Sequence, residues 1–261
     1  MKTTINELAV FATGSDKNKA LIFVHGFPYD HKMWDAQVEA LSKEYFCVTY
    51  DIRGLGESPA GCGQFTMESF VDDLEAVVDE MNLVKPALCG LSMGGYISLR
   101  AVERMGSKFS KLILCDTRSA ADNNEGKLKR AAGIKKIDTE GVIPFVNEFI
   151  PTCFSGSYMK NYEKQYKEVL FRSQKNDPVG VKGSLLAMLS RTDTTESLKN
   201  ISIPALIICG EEDTLTPPDV MKEMSHRISH SNYVEISGAG HMSPIEKSTE
   251  VSNHIKKFLK D

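Results

Sequence analysis

The sequence lacks a long hydrophobic run. Its longest uninterrupted apolar stretches are about five residues, such as ALIFV at 20–24, whereas a membrane-spanning helix needs about 20. The first residues, MKTTINELAVF, also lack the apolar core and the cleavage site of a secretory signal peptide. We therefore expect a cytoplasmic protein with no membrane partner.

Basic clusters and patterned cysteines are missing as well. The 261 residues carry 31 Lys and Arg against 35 Asp and Glu, a formal net charge of −4, and they form no basic stripe. This balance argues against nucleic acid as a partner. The six cysteines show neither metal-ligand spacing nor a dense disulfide framework. We expect reduced, structural thiols, and neither a metal nor an organic cofactor is indicated.

Short apolar segments alternate with stretches of helical periodicity along the chain. The N-terminal INELAVFATG is typical of an extended strand or hairpin, and Thr66 is a suitable N-cap for the helix that follows it. Six further segments are typical of strands: KALIFVHG (19–26), FCVTYD (46–51), PALCGLS (86–92), KLILCDT (111–117), PALIICG (204–210) and NYVEISG (232–238). The alternation predicts an α/β fold, with a mostly parallel eight-stranded sheet and helices on both of its faces.

One segment interrupts this alternation. From about Arg118 to Arg191, helical patterns occur without a convincing strand. Three apolar helical faces can be traced there: Ile143, Val146, Phe149 and Ile150; Tyr162, Tyr166, Val169 and Leu170; and Leu185, Leu186 and Leu189. We interpret the segment as an all-helical cap, which divides the chain into core residues 1–117, cap residues 118–191 and core residues 192–261.

Polar residues collect just after the predicted strands. The segments that follow them are HGFP, DIRGLGES, GLSMGG, DT, GEEDTLTPP and SGAGHMSP, in chain order. Because ligands of open parallel sheets bind outside the carboxyl ends of the strands, we expect these segments to meet at one site.

These loops resemble those of the α/β-hydrolase fold family, and the resemblance covers nearly the whole chain except the cap. The family places a nucleophile in a Gly-x-Ser-x-Gly turn, followed along the chain by an acid and then a histidine. The resemblance therefore implies Ser92 as nucleophile, Asp213 as acid and His241 as base. Asp116 remains an alternative acid, because some members of the fold carry the acid after that strand.

Each of these residue types suits its role. Ser92 would occupy a sharp strand-to-helix turn, where Gly90 and Gly94 lack the Cβ atoms that would collide across it. A neutral imidazole at His241 accepts the serine proton and returns it to the leaving group, and Asp213 orients that imidazole.

Backbone groups would complete the site. The N–H groups of Phe27 and Met93 are expected to form the oxyanion hole, because Met93 begins a helix whose dipole favours negative charge. We expect His25 to brace the first loop, and Asp51 and Arg53 to tie loops together.

A serine nucleophile selects among the reactions of the family. Dehalogenases and epoxide hydrolases of this fold need a carboxylate at the turn, whereas serine suits acyl transfer. The segments CGLSMGG, HGFP, MWDAQ and LCDTRSAAD resemble bacterial carboxylesterases and the 3-oxoadipate enol-lactonase group. The resemblance implies a cofactor-free serine hydrolase that cleaves a small carboxylic ester through an acyl-enzyme.

Other activities of the fold stay open from the sequence. They are hydrolysis of a lactone, cofactor-free haloperoxidase or C–C hydrolase chemistry, and, in a different class, a small-molecule receptor. Phe145, Phe149, Phe154 and Met188 of the cap suggest either an apolar substrate pocket or the internal packing of the cap.

Overall fold

Short strands alternate with helices along the chain, and the computed structural model describes residues 1–260. The strands are β1 (Lys2–Ile5), β2 (Leu8–Thr13), β3 (Ala20–Val24), β4 (Phe46–Tyr50), β5 (Ala87–Leu91), β6 (Lys111–Cys115), β7 (Ala205–Gly210) and β8 (Ser231–Ile236). The α-helices are α1 (Asp35–Leu41), α2 (Met67–Glu80), α3 (Met93–Met105), α4 (Asn124–Glu140), α5 (Val142–Phe149), α6 (Gly156–Asn161), α7 (Glu163–Gln174), α8 (Pro178–Ser190), α9 (Pro218–Arg227), α10 (Ser243–Glu246) and α11 (Ser248–Lys260).

Within these residues the strands form one eight-stranded sheet in the order β1-β2-β4-β3-β5-β6-β7-β8. The pairs from β4 to β8 are parallel, and β1 and β2 add an antiparallel edge. Strands β5 and β7 are buried at every residue, because helices cover both faces; α1 packs against α11, and α2 against α3. The predicted fold class is confirmed. No helix among residues 1–260 is long and apolar enough to span a membrane.

Helix α2 begins where the sequence predicts. The Ser69 N–H donates to Thr66 Oγ1 at 3.1 Å, and the Thr66 N–H donates back to Ser69 Oγ at 3.0 Å. This reciprocal capping box satisfies two N–H groups at the start of the helix.

The segment between β6 and β7 contains α4 to α8 and, in the described chain, no strand. The predicted apolar faces are wrong at three positions, because Ile143 is 51%, Tyr162 50% and Leu186 41% exposed. Helix α4 was not anticipated, since it buries little more than Gly133 and Ile137 and so carries no apolar stripe. The cap boundaries at residues 118 and 191 stay a prediction.

Backbone-to-backbone contact joins α8 to the core. A Cβ atom on Gly180 would lie 1.8 Å from the Gly54 carbonyl oxygen, and one on Gly183 would lie 2.5 Å from the Phe65 ring. Glycine at both positions therefore lets α8 lie directly on the loop after β4.

Buried polar contacts hold the loops at the carboxyl edge of the sheet, as expected. The Asp51 carboxylate accepts hydrogen bonds from the backbone N–H groups of His31 at 2.7 Å and Glu57 at 2.8 Å. The Nε2 atom of His25 accepts from the Ile52 N–H at 2.9 Å. These bonds fix the HGFP loop against the DIRGLGES loop.

Arg53 donates two hydrogen bonds to the Asp73 carboxylate, and we expect that lysine cannot replace both of them. Its Nε and Nη2 atoms each lie 2.5 Å from an oxygen of the buried Asp73 carboxylate. Arg53→Lys should lower the free energy of unfolding by about 1–3 kcal/mol, because a buried carboxylate loses one donor. Urea unfolding measures this change. The control is Arg227→Lys, since Arg227 pairs with the exposed Glu223; equal losses in both variants would contradict the expectation.

Candidate active site

Ser92 lies in the turn that joins β5 to α3. Its backbone has φ 53° and ψ −114°, a combination that residues other than glycine seldom adopt. The strand ends at Leu91 and the helix begins at Met93. The turn therefore has the strand-before, helix-after context that gives the Gly-x-Ser-x-Gly pattern its meaning.

Three glycines allow this turn to form. A Cβ atom on Gly90 would lie 2.3 Å from the Gly94 carbonyl oxygen, and one on Gly94 would lie 2.2 Å from a carbonyl oxygen of β3. Gly95, which the sequence did not single out, would meet Thr117 Oγ1 at 2.3 Å. That hydroxyl donates to the Ser92 carbonyl oxygen at 2.8 Å, so the loop after β6 supports the turn.

His241 and Asp213 form a buried pair beside this turn. His241 Nδ1 lies 2.8 Å from Asp213 Oδ2, and each residue is 3% exposed. His241 and Ser92 line the same pocket. The structure therefore brings the three residues implied by the family resemblance to one place at the carboxyl edge of the sheet.

The Asp213 carboxylate is surrounded by donors. Its Oδ1 atom accepts from the N–H groups of Leu215 at 2.8 Å and Thr216 at 3.0 Å, and Oδ2 accepts from Thr216 Oγ1 at 2.5 Å. Burial alone would raise the pKa of Asp213, but His241 and the Thr216 bonds outweigh it and lower the pKa to about 2. An ionised carboxylate accepts the Nδ1 proton of His241, which leaves Nε2 free to act as a base.

Asp116, the alternative acid, is turned toward other partners. It accepts a hydrogen bond from the Gly210 N–H at 2.7 Å and another from Ser243 Oγ at 2.5 Å. Burial and the nearby charge of Asp213 raise the pKa of Asp116 well above its usual range. Asp116 thus connects the acid loop to the start of α10 and does not contact the imidazole of His241.

Cys209 completes a cluster behind the acid loop. Candidate ligand atoms of Asp116, Cys209 and Asp213 lie within 4.8 Å of one another. Both carboxylates are occupied by internal donors, and Cys209 Sγ donates to the Thr216 carbonyl oxygen at 3.5 Å. Burial raises the pKa of the Cys209 thiol well above its usual value, so the thiol stays protonated and the cluster acts as hydrogen-bonded support.

Two backbone N–H groups point to an oxyanion site. Met93 is the first residue of α3, and the N–H groups of a first helical turn have no intrahelical acceptor. Phe27 follows β3 and lines the pocket together with Ser92. Within residues 1–260, neither the Phe27 nor the Met93 N–H has a protein acceptor. These are the two groups that the sequence suggests for the oxyanion hole, and that role stays a prediction.

A cavity of about 300 Å³ lies above Ser92, between the sheet edge and the cap. Cap residues Phe145, Phe149, Leu185 and Met188 form its apolar part. Phe27 packs edge-on against the rings of Phe145 and Phe149, with ring centroids 6.1 and 5.6 Å apart. Phe154 is not part of this lining; it stacks on Tyr158 at 5.4 Å. The sequence also missed the polar lining residues Tyr96, Arg118 and Thr216.

A buried glutamate joins the cap to the histidine loop. Glu246 Oε2 accepts from the N–H of Ser155 at 3.0 Å and from its Oγ at 2.6 Å. Glu246 Oε1 accepts from the Gly240 N–H at 3.0 Å. Because Gly240 directly precedes His241, the position of the imidazole depends on this contact.

Comparisons with known proteins agree with this geometry. Over 254 residues the chain is 28% identical to 3-oxoadipate enol-lactonase 1 of Acinetobacter baylyi, covering 97% of this chain and 93% of the relative. It is 30% identical over 252 residues to the pimeloyl-acyl-carrier protein methyl ester esterase of Aliivibrio salmonicida, covering 94% and 92%. The solved structure of a thermophilic esterase from Thermogutta terrifontis, with malate bound, is 33% identical, with a TM-score of 0.95 and coverage of 100% and 98%.

The family model described as the alpha/beta hydrolase fold matches residues 19–248. This range contains Phe27, Ser92, Met93, Asp213 and His241, together with the whole segment between β6 and β7. The chain therefore belongs to the alpha/beta hydrolase fold family, as the sequence predicts, and it is a hydrolytic enzyme.

Proposed function

We propose that the protein is a serine hydrolase that cleaves the carboxylic ester of a small substrate, with Ser92, His241 and Asp213 as its triad. The observation that carries this proposal is that Ser92, on its strained turn, lines one pocket with a His241 already paired to an ionised Asp213. The esterases among its relatives support an ester substrate.

The proposed reaction has two halves. Ser92 Oγ attacks the ester carbonyl carbon while His241 Nε2 takes its proton, and the N–H groups of Phe27 and Met93 stabilise the oxyanion. The bond to the alcohol oxygen breaks, and His241 returns the proton to that oxygen. Water then attacks the acyl-enzyme with His241 as base, and Ser92 leaves with the proton. One water is consumed, and one acid and one alcohol are released.

The pocket supports a small substrate with apolar parts. Its volume of about 300 Å³ and its cap residues Phe145, Phe149 and Met188 suit a short acyl chain or a single ring. A cavity of this size favours such substrates over long-chain lipids.

Lactone hydrolysis is the second candidate, favoured by the 28% identity to an enol-lactonase over 97% of the chain. The steps are the same, except that the released alcohol stays attached to the acid. The ratio of kcat/KM for 3-oxoadipate enol-lactone to that for p-nitrophenyl butyrate decides between the two. Turnover far below one per second on both substrates would instead favour a receptor.

Replacing the nucleophile provides the first test. Ser92→Ala should lower kcat/KM for p-nitrophenyl butyrate by about 10³- to 10⁶-fold, because no other group on the turn can form the acyl-enzyme. Ser98→Ala is the matched control: this buried serine of α3 donates to the Gly94 carbonyl oxygen and does not line the pocket. Comparable losses in both variants would show that folding, and not nucleophilic attack, is affected.

The two candidate acids are distinguished by a pair of isosteric variants. Asp213→Asn should lower kcat by about 10³- to 10⁴-fold, because an amide favours the wrong tautomer of His241. Asp116→Asn should stay within about 10-fold of wild type, since asparagine tolerates its positive φ of 44° and keeps an oxygen for the Gly210 N–H. If Asp116→Asn is the more damaged variant, the assignment of the acid is wrong.

The lowered pKa of Asp213 has a consequence for stability. Its folded-state pKa of about 2 lies below the usual aspartate value of about 3.9. The ionised carboxylate therefore stabilises the fold above about pH 4, and this contribution is lost as the pH falls toward 2. Relative to Asp213→Asn, wild type should lose about 2–3 kcal/mol of unfolding free energy between pH 5 and pH 2, measured with urea. A difference that does not change with pH would contradict this.

A further inference from the structure

Cationic side chains outnumber acidic ones around the pocket. Arg118, Lys129 and Arg130 line it, against the single carboxylate of Asp122. Such an excess in a largely apolar cavity raises the question of which of these charges is already neutralised by protein.

Asp122 is fully engaged by two arginines. Its Oδ2 atom pairs with Arg130 Nε, and Oδ1 lies 3.0 Å from Arg191 Nη1, with the Arg191 and Asp122 side chains each 2% exposed. Burial alone would raise the pKa of Asp122, but the two arginines outweigh it and lower the pKa. The carboxylate therefore stays ionised and forms ion pairs with Arg130 and Arg191.

Lys129 is also accounted for. It forms an i,i+4 pair with Glu125 at 2.9 Å, and both side chains are more than 70% exposed. Water solvates this ammonium group, so it needs no ligand.

Arg118 differs from these neighbours. It is partly buried, its Nε atom has no hydrogen-bond partner among residues 1–260, and no carboxylate of that part of the chain forms an ion pair with it. The Tyr96 side chain shares a hydrogen bond with its guanidinium, whereas Asp122 and Asp213 act on it only through space. The Arg191 guanidinium lies 4.1 Å from the centroid of the Tyr96 ring. Arg118 thus lines the pocket without a carboxylate in contact with its guanidinium, and an anion that enters the pocket would supply this missing partner.

We propose that Arg118 binds a carboxylate of the substrate, so that the enzyme prefers a small ester or lactone that carries a second, ionised carboxyl group. This proposal rests on the proposed function, because the reacting ester must reach Ser92 in the same cavity. A guanidinium donates two parallel hydrogen bonds to a carboxylate, which suits planar, bidentate recognition. The phenylalanines of the cap would then contact the carbon chain between the two carbonyl groups.

A pair of substrates of matched shape tests the preference. Methyl hydrogen succinate and methyl 4-methylpentanoate differ in that a carboxylate in the first replaces an isopropyl group in the second. Initial rates in a pH-stat at pH 7.5 give kcat/KM for each. Wild type should favour the succinate ester by at least about 10-fold, because the Arg118 guanidinium would lack a carboxylate partner when the neutral ester is bound.

Variants at Arg118 separate binding from folding. Arg118→Gln should lower kcat/KM for the succinate ester by about 30- to 100-fold, chiefly through KM, and change the neutral ester by less than about 3-fold. Arg118→Lys should recover part of the loss, since lysine restores the positive charge but cannot donate two parallel hydrogen bonds to a carboxylate. Lys129→Gln, which removes the solvated cation of the same lining, is the control and should change the ratio by less than about 3-fold.

Binding without turnover gives an independent readout. Calorimetric titration of succinate into Ser92→Ala should show binding that is lost in the Ser92→Ala, Arg118→Gln double variant, and thermal unfolding checks that each variant is folded. If Arg118→Gln does not fold, the wild-type substrate ratio and competitive inhibition by succinate decide the question.

Several outcomes would overturn the proposal. They are equal kcat/KM for the two methyl esters in wild type, equal losses on both esters in Arg118→Gln, and unchanged succinate binding in the double variant. Failure of the proposed function looks different: p-nitrophenyl butyrate would not be hydrolysed in a Ser92-dependent way, while succinate binding would still test Arg118.

Discussion

The close approach of α3 to β3 is the constraint on which the site depends. A Cβ atom on Gly94 would lie 2.2 Å from the carbonyl oxygen of Val24, so only glycine lets the helix begin at that point. The chain must turn within one residue, and Ser92 takes up the strain in its backbone. Buried parallel pairing of β3 with β5 supplies the rigidity that holds this geometry, and the loop of Phe27 is placed by the same strand.

Environment, and not residue type, distinguishes the two aspartates at the sheet edge. Asp213 faces an imidazole and three donors, which favour its charged form. Asp116 lies in the same buried region without a cation and beside that negative charge, which favours its neutral form. Holding one carboxylate ionised makes it harder to ionise the other, and this difference supports Asp213 over Asp116 as the proposed acid.

Much of the fold and of the site geometry follows from local sequence patterns. Apolar runs predict the central strands β3 to β7 because those strands are buried on both faces. The loops after β5, β7 and β8 bring Ser92, Asp213 and His241 together because parallel strands share one carboxyl edge. The cap follows less clearly, because α4 is polar on nearly all sides and Ile143 is apolar but exposed. That Arg118 has no carboxylate partner among the described residues could not be predicted, since it depends on how Arg130 and Arg191 share Asp122 in three dimensions.

Glu246 gives the cap and the histidine loop one shared anchor. The carboxylate accepts hydrogen bonds from Ser155 on one side and from Gly240 on the other. If either segment moves away, a buried carboxylate oxygen loses its hydrogen-bond donor. By thermodynamic linkage, the free energy by which the seated cap favours the seated imidazole equals the free energy by which the seated imidazole favours the cap. In the proposed mechanism, contacts between substrate and cap, remote from the bond that breaks, would thereby order His241, and their free energy would appear in the rate constant as well as in affinity.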